Sequence, residues 1–129
     1  MNQKRIRELV YSKYGGSCAY CGKKIDIKDM QIDHFIPILR GWSDEYINDV
    51  NKDYKITRGK DDISNYMPSC RSCNFRKGTS DIETFRKEIG LQAERLMATF
   101  QGRMSAAYGL IDYRPHEIRF YFEDRKQKK

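Results

Sequence analysis

A chain of 129 residues, 39% hydrophobic and 33% charged, has the size of one compact domain of about 100 to 150 residues and excludes two full-size ones. Its longest apolar runs, such as Ile36-Pro37-Ile38-Leu39, fall far short of the roughly 20 residues that cross a bilayer, so no transmembrane helix is expected. The formal charge of +7 is gathered in Lys4-Arg5-Arg7, Arg71-Arg76-Lys77, Arg86-Lys87 and Arg125-Lys126-Lys128-Lys129, a clustering that favours a polyanionic partner over an evenly solvated surface.

Met1 to Glu8 carries basic residues without the apolar run or cleavage site of a secretory leader, and a cytoplasmic location is expected. Thiols stay reduced there, so the four cysteines read as metal ligands and not as disulfides.

Asn2 is placed to cap a first helix, in which Ile6, Leu9, Val10 and Lys13 recur at helical spacing until Gly15-Gly16 stop it. Cys18-x-x-Cys21-Gly22 is a turn carrying two thiols. The β-branched and aromatic residues of Met30 to Ile36 predict a strand ending before Pro37, with His34 near its end. Residues 40–64, with Gly41, Ser43, Asn48, Asn51, Gly59 and Asp61-Asp62, hold no sustained period and predict a long loop or irregular insertion.

Asn65-Tyr66-Met67 leads into Cys70-x-x-Cys73-Asn74, a second knuckle that feeds a short helix closed by Gly78. Ser80 and Glu83 form a capping-box pattern ahead of a helix on which Ile82, Phe85, Ile89, Ala93, Leu96 and Phe100 share one face, with Gly90 and Gly102 as points of interruption. A further turn through Ala106-Ala107-Tyr108 ends at Gly109. Ile118 to Phe122 then predicts a late strand, followed by a basic tail at 124–129.

Each Cys-x-x-Cys pair turns two thiolates toward one ion, and four thiolates make a closed tetrahedral zinc site. The 48 residues between the pairs exceed the spacing of a minimal zinc ribbon, so the metal staples segments that bracket something else. Zinc is therefore expected to be structural and required for folding, worth about 10 to 16 kcal/mol in small zinc-finger peptides.

Between the knuckles, Asp33 supplies a hard oxygen ligand suited to magnesium, and His34 is a proton acceptor at neutral pH. Asn74 offers a second oxygen ligand, and Asn65 a side chain able to pin a loop through its backbone. Sulfur and oxygen donors sort the two metals. Trp42 is either a local core anchor or a stacking platform for DNA, and His116, after Pro115, reads as a solvated residue.

Cys18-x-x-Cys21, Ile32-Asp33-His34-Phe35-Ile36-Pro37, Ser64-Asn65-Tyr66-Met67-Pro68 and Cys70-x-x-Cys73-Asn74-x-x-Lys77-Gly78 together resemble the HNH endonuclease family over about residues 14–78. The stretches Tyr108-Gly109-Leu110-Ile111 and Phe120-Tyr121-Phe122-Glu123 are more loosely similar to small phage and prophage members. The resemblance implies an α+β fold: a small ββα-metal (His-Me finger) core stapled by a four-cysteine zinc site, with flanking helices and a C-terminal strand. In that reading residues 1–129 are a single nuclease domain, with a core at about 14–78, an extension at about 80–123 and the basic tail.

The same resemblance makes Asp33 and Asn74 the ligands of a catalytic Mg2+ or Mn2+, His34 the general base, and Asn65 the middle Asn that shapes the loop and helps orient the histidine. Hydrolysis would leave a 5′-phosphate and a 3′-hydroxyl. Arg71, Arg76 and Lys77 are candidates for neighbouring phosphates. The expected partner is double-stranded DNA, with a homodimer or a phage or host protein as further partners and a phage, prophage or mobile-element origin. The 30 residues between His34 and Asn65 depart from compact members of the family. The alternative reading is a non-catalytic zinc-stapled DNA-binding module, which has no need for Asp33, His34 and Asn74 together.

Overall fold

The computed structural model describes residues 1–125, so the part of the predicted basic tail at 126–129 lies outside the described residues. The chain forms two units, one made of Met1–Ile82 with the described residues from Phe120 on, the other of Glu83–Arg119.

In the first unit, α1 (Gln3–Ser12) begins where the side chain of Asn2 accepts the Arg5 N–H at 2.8 Å, satisfying one of the donors that a helix start leaves open. Strands β1 (Gln31–His34) and β2 (Tyr66–Ser69) pair antiparallel, with Asp33 opposite Met67 and His34 opposite Tyr66. Pro68 is tolerated because β2 has a neighbour on one side only in this two-stranded sheet. Cys70 caps α3 (Arg71–Lys77), which follows β2 at once and stops at Gly78, where φ is 53°. The hairpin followed by this helix is the small α+β arrangement that the sequence implies.

Residues 40–64 are not wholly irregular. They contain α2 (Asp44–Val50), capped by the hydroxyl of Ser43, which accepts the Tyr46 N–H at 3.0 Å. Two turns that bury only Ile47 leave no sustained apolar period to read.

The predicted strand at Ile118 to Phe122 does not form. Phe120 instead starts α6 (Tyr121–Asp124), and the N–H groups of Tyr121 and Phe122 donate to the carbonyls of Tyr20 and Ala19 at 2.9 and 2.8 Å. The aromatic alternation is satisfied by burial around the first knuckle: the Tyr20 ring stands edge-on to Phe120 and Phe122, and Phe35 edge-on to Phe122. Five alternating residues are equally compatible with one helical turn.

The second unit is helical where it is regular. It is built on α4 (Ile82–Met97) and α5 (Phe100–Ala107). The first runs through Gly90 without a break; the interruption falls at Thr99, whose hydroxyl accepts the Gly102 N–H at 2.9 Å and caps α5. Helix α4 starts at Ile82, one residue later than the predicted Ser80 cap requires, and Glu83 pairs with Arg86 at 3.0 Å. Among the described residues no helix is long and apolar enough to cross a membrane.

Candidate functional site

The first knuckle is a tight turn in which Cys18 N–H donates to Lys23 O at 2.8 Å and Gly22 N–H to Cys18 O at 3.0 Å. Gly22 is required twice over: its φ is +80°, and a Cβ there would stand 2.6 Å from the Tyr121 ring. Ala19 N–H donates to Pro68 O at 2.8 Å, tying this turn to β2, which runs directly into Cys70. The sulfurs of Cys18, Cys21, Cys70 and Cys73 consequently lie within 4.8 Å of one another, those of Cys21 and Cys70 3.8 Å apart.

A tetrahedral ion bonded at about 2.3 Å to each sulfur separates them by about 3.8 Å, so spacing and donor chemistry both fit zinc. The thiols also compete for charge. Cys73 donates to Cys18 and lowers the Cys18 pKa to about 4, while Cys73 itself is pushed up by that bond and by burial, and Cys21 is pushed up by burial. Four thiolates in this space need a cation among them.

Asp33, His34 and Asn74 line a second feature, a cleft of about 380 Å³ walled by Arg40, Trp42 and Thr79. Strand β1 presents Asp33 and His34 to it, and α3 presents Asn74. Asp33 is only 5% exposed, and its Oδ2 accepts from the Tyr20 hydroxyl at 2.5 Å and from Lys77 Nζ at 3.0 Å. Burial, and next the charge of Asp33, push the Tyr20 phenol up and keep it a donor. Lys77, 1% exposed, also donates to His34 O at 3.0 Å.

The position of Lys77 corrects its expected role. Its ammonium neutralises Asp33 inside the protein and is not presented to a phosphate; of the three predicted phosphate contacts, Arg71 and Arg76 are the exposed ones.

Asn65 is buried and makes three side-chain bonds: Oδ1 accepts from Ile36 N–H at 2.9 Å, and Nδ2 donates to Ile36 O and Lys60 O, both at 2.8 Å. These bonds close the base of the insertion immediately beyond β1. Gly59 belongs to the same closure, since a Cβ there would lie 1.9 Å from Ile36 O. Arg58 organises the outer part, donating to Ile38 O at 2.8 Å, to Leu39 O at 3.0 Å and to Trp42 O.

The profile of a family described as HNH endonuclease matches residues 18–55, the stretch that carries Cys18, Cys21, Asp33 and His34. A 65-residue segment is 38% identical to YoqL, a SPbeta prophage-derived protein of Bacillus subtilis (strain 168) named as an HNH endonuclease. Both matches are to proteins of the HNH endonuclease kind, and both cover only part of this chain. The segment is 50% of this chain and 24% of YoqL, so the match spans about a quarter of the relative's length. Among solved structures, the Type II-C Cas9 enzyme from Actinomyces naeslundii aligns with a TM-score of 0.49 at 20% identity, over 66% of this chain and 8% of that one.

One polar contact of His34 has no counterpart in the sequence motifs. His34 Nε2 lies 2.9 Å from Asp61 Oδ1, which also accepts from the Tyr66 hydroxyl at 2.7 Å. Those bonds, that of His34 first, hold the Asp61 carboxyl below its ordinary value. The signal available in sequence was the Asp61-Asp62 pair just ahead of Asn65; Asp62 proves to be a cap that accepts the Ser64 N–H. Trp42 is 36% exposed on the cleft wall and packs edge-on against Tyr46, so neither reading of it is purely right. His116 is exposed, with Nδ1 2.7 Å from Arg114 O.

Proposed function

We propose that this chain is a metal-dependent DNA endonuclease that hydrolyses phosphodiester bonds, with His34 as general base and a divalent ion, Mg2+ or Mn2+, held by Asp33 and Asn74. The observation that carries the reading is the convergence of these three side chains on one cleft from two different elements. Zinc on Cys18, Cys21, Cys70 and Cys73 is structural in this reading, because four thiolates leave no open position for water.

At the end of β1, His34 takes a proton from the attacking water, whose oxygen bonds to phosphorus in line with the departing 3′ oxygen. The divalent ion supplies charge neutralisation at the scissile phosphate when bound. Asn65 holds the backbone directly after β1 and thereby keeps the base at the cleft. Arg71 and Arg76 on α3 meet neighbouring phosphates, and the products carry a 5′-phosphate and a 3′-hydroxyl. Double-stranded DNA is the proposed substrate; cutting both antiparallel strands takes a homodimer or two binding events. The likeness to a prophage-derived protein supports a phage, prophage or mobile-element origin.

One observation favours a second reading, a non-catalytic zinc-stapled DNA-binding module: the Asp33 carboxylate already holds Lys77 and Tyr20. Incubating zinc-loaded protein and its His34→Ala variant with supercoiled plasmid, with and without Mg2+, separates the two. Nicked or linear product that requires both Mg2+ and His34 supports the nuclease, with a loss of roughly 10² to 10⁴ in rate for the variant. Plasmid that is bound and never cut supports the module.

A further inference from the structure

Asp61 lies in the irregular segment before β2, yet it bonds to the residue on which the proposed chemistry depends. An ionised carboxylate can only accept, so the protons in both of its short contacts belong to His34 Nε2 and to the Tyr66 hydroxyl. Neutral His34 is thereby held with its proton on Nε2 and its lone pair on Nδ1. Among the described residues Nδ1 has no hydrogen-bond partner. The ring is also fixed from the side: Tyr66, its register partner across the hairpin, meets it edge-on at 5.2 Å and 87°.

We propose that Asp61 is the positioning residue for His34, fixing the tautomer and plane of the imidazole so that Nδ1 is the atom that takes the proton from water. The proposal rests on the reading of His34 as general base. In the step, an O–H bond of water breaks as an N–H bond forms at Nδ1, and the water oxygen bonds to phosphorus. The phosphorus to 3′-oxygen bond breaks, and the departing oxygen takes a proton from solvent. The imidazolium formed at His34 then stands beside the Asp61 carboxylate, which lowers its energy without moving any atom. Removing the carboxylate of a buried triad costs about 10⁴ in rate; the Asp61 side chain is 57% exposed, and water screens it, so a loss of about 10- to 100-fold is expected.

The test uses the zinc-loaded full chain labelled with 15N-histidine, together with cleavage rates at saturating plasmid and Mg2+. Wild type should show His34 as the Nε2–H tautomer. Asp61→Ala should give a tautomer mixture and the expected rate loss, with the KM for plasmid and the zinc content unchanged. Asp61→Glu should restore part of the rate, and Asp61→Ala should add nothing in a His34→Ala background.

An Asp61→Ala variant with wild-type tautomer and rate, alongside an inactive His34→Ala, overturns the positioning role and leaves the base intact. A His34→Ala variant that cuts like wild type overturns the base reading and this proposal with it. An Asp61→Ala loss of equal size in both backgrounds shows that Asp61 acts elsewhere and also overturns it.

Discussion

At the knuckles, four sulfurs stand within 4.8 Å of one another, and among the described residues no lysine or arginine side chain is bonded to them. On the cleft floor, 15 residues along from Cys18, the Asp33 carboxylate is matched inside the protein by the ammonium of Lys77 and the hydroxyl of Tyr20. The two places differ in countercharge. A cluster of like charges with no internal partner relies on its ion in order to fold. A carboxylate with a built-in partner stands without one.

The sharpest way to break that contrast is to remove a thiol. Cys70→Ser deletes one ligand and the sulfur that accepts the Cys73 N–H at the start of α3. A structural zinc is worth about 10 to 16 kcal/mol in small peptides, against about 5 to 15 kcal/mol for the total stability of a domain. The variant should lose its zinc and the fold of the unit made of Met1–Ile82 and the residues from Phe120 on, seen by elemental analysis and far-ultraviolet circular dichroism. A zinc-free variant with a wild-type spectrum refutes the metal's folding role.

Next in size is the pair on the cleft floor. Lys77→Met keeps the side-chain length but leaves Asp33 buried beside Tyr20 alone, and breaking a buried pair on one side costs about 3 to 5 kcal/mol. Urea unfolding of zinc-loaded protein measures it. Adding Asp33→Asn to Lys77→Met should recover much of the loss, because no uncompensated charge is then buried. A double variant less stable than the single one excludes the charge argument.

Lys77 also marks where sequence reasoning stops. In a run of basic residues on a short helix it reads as a surface cation, and only a partner 44 residues earlier in the chain reverses that. The zinc knuckles were legible because Cys-x-x-Cys spacing is local, as were the Asn2 cap and the placing of His34 near a strand end before Pro37. Helix α2 hid behind a single buried residue, Ile47, and the aromatic run from Ile118 to Phe122 carried a period too short to separate strand from turn. Asp61 was invisible for the same reason as Lys77: its partner is 27 residues distant. Contacts made across the loop are a property of the fold, not of any motif.

Under the proposed reading, the contrast between the cysteine cluster and the Asp33 cleft sharpens in binding. With Lys77 beside Asp33, Mg2+ meets little net negative charge in the protein alone, and magnesium sites commonly take one or two carboxylates together with substrate phosphate. Mg2+ should bind at least about tenfold more tightly when a hydrolysis-resistant duplex is present, and by reciprocity DNA should bind more tightly in Mg2+. Trp42, the chain's single tryptophan, stands on the cleft wall and reports the titration by fluorescence. Equal Mg2+ affinity with and without DNA rules out the shared site.

The smallest effect concerns Asp61, whose charge is partnered like that of Asp33 but at the surface. Its carboxyl is held below the ordinary value of 3.8 by the bonds from His34 and then Tyr66. A folded-state pKa below the unfolded one means that the unfolded chain binds the proton more readily, so the contribution is fully present above pH 3.8 and is lost as pH falls through the depressed value. Above that window Asp61 should support the fold of the segment before β2 at every pH; within it, acid should loosen the Tyr66 contact. Stability measured from pH 5 downward should therefore fall less steeply in Asp61→Asn than in wild type, the two curves drawing together as Asp61 becomes protonated. Parallel curves throughout would show that the Asp61 carboxylate gains nothing from its two donors, and that the charge-matching seen at Asp33 has no equivalent at Asp61.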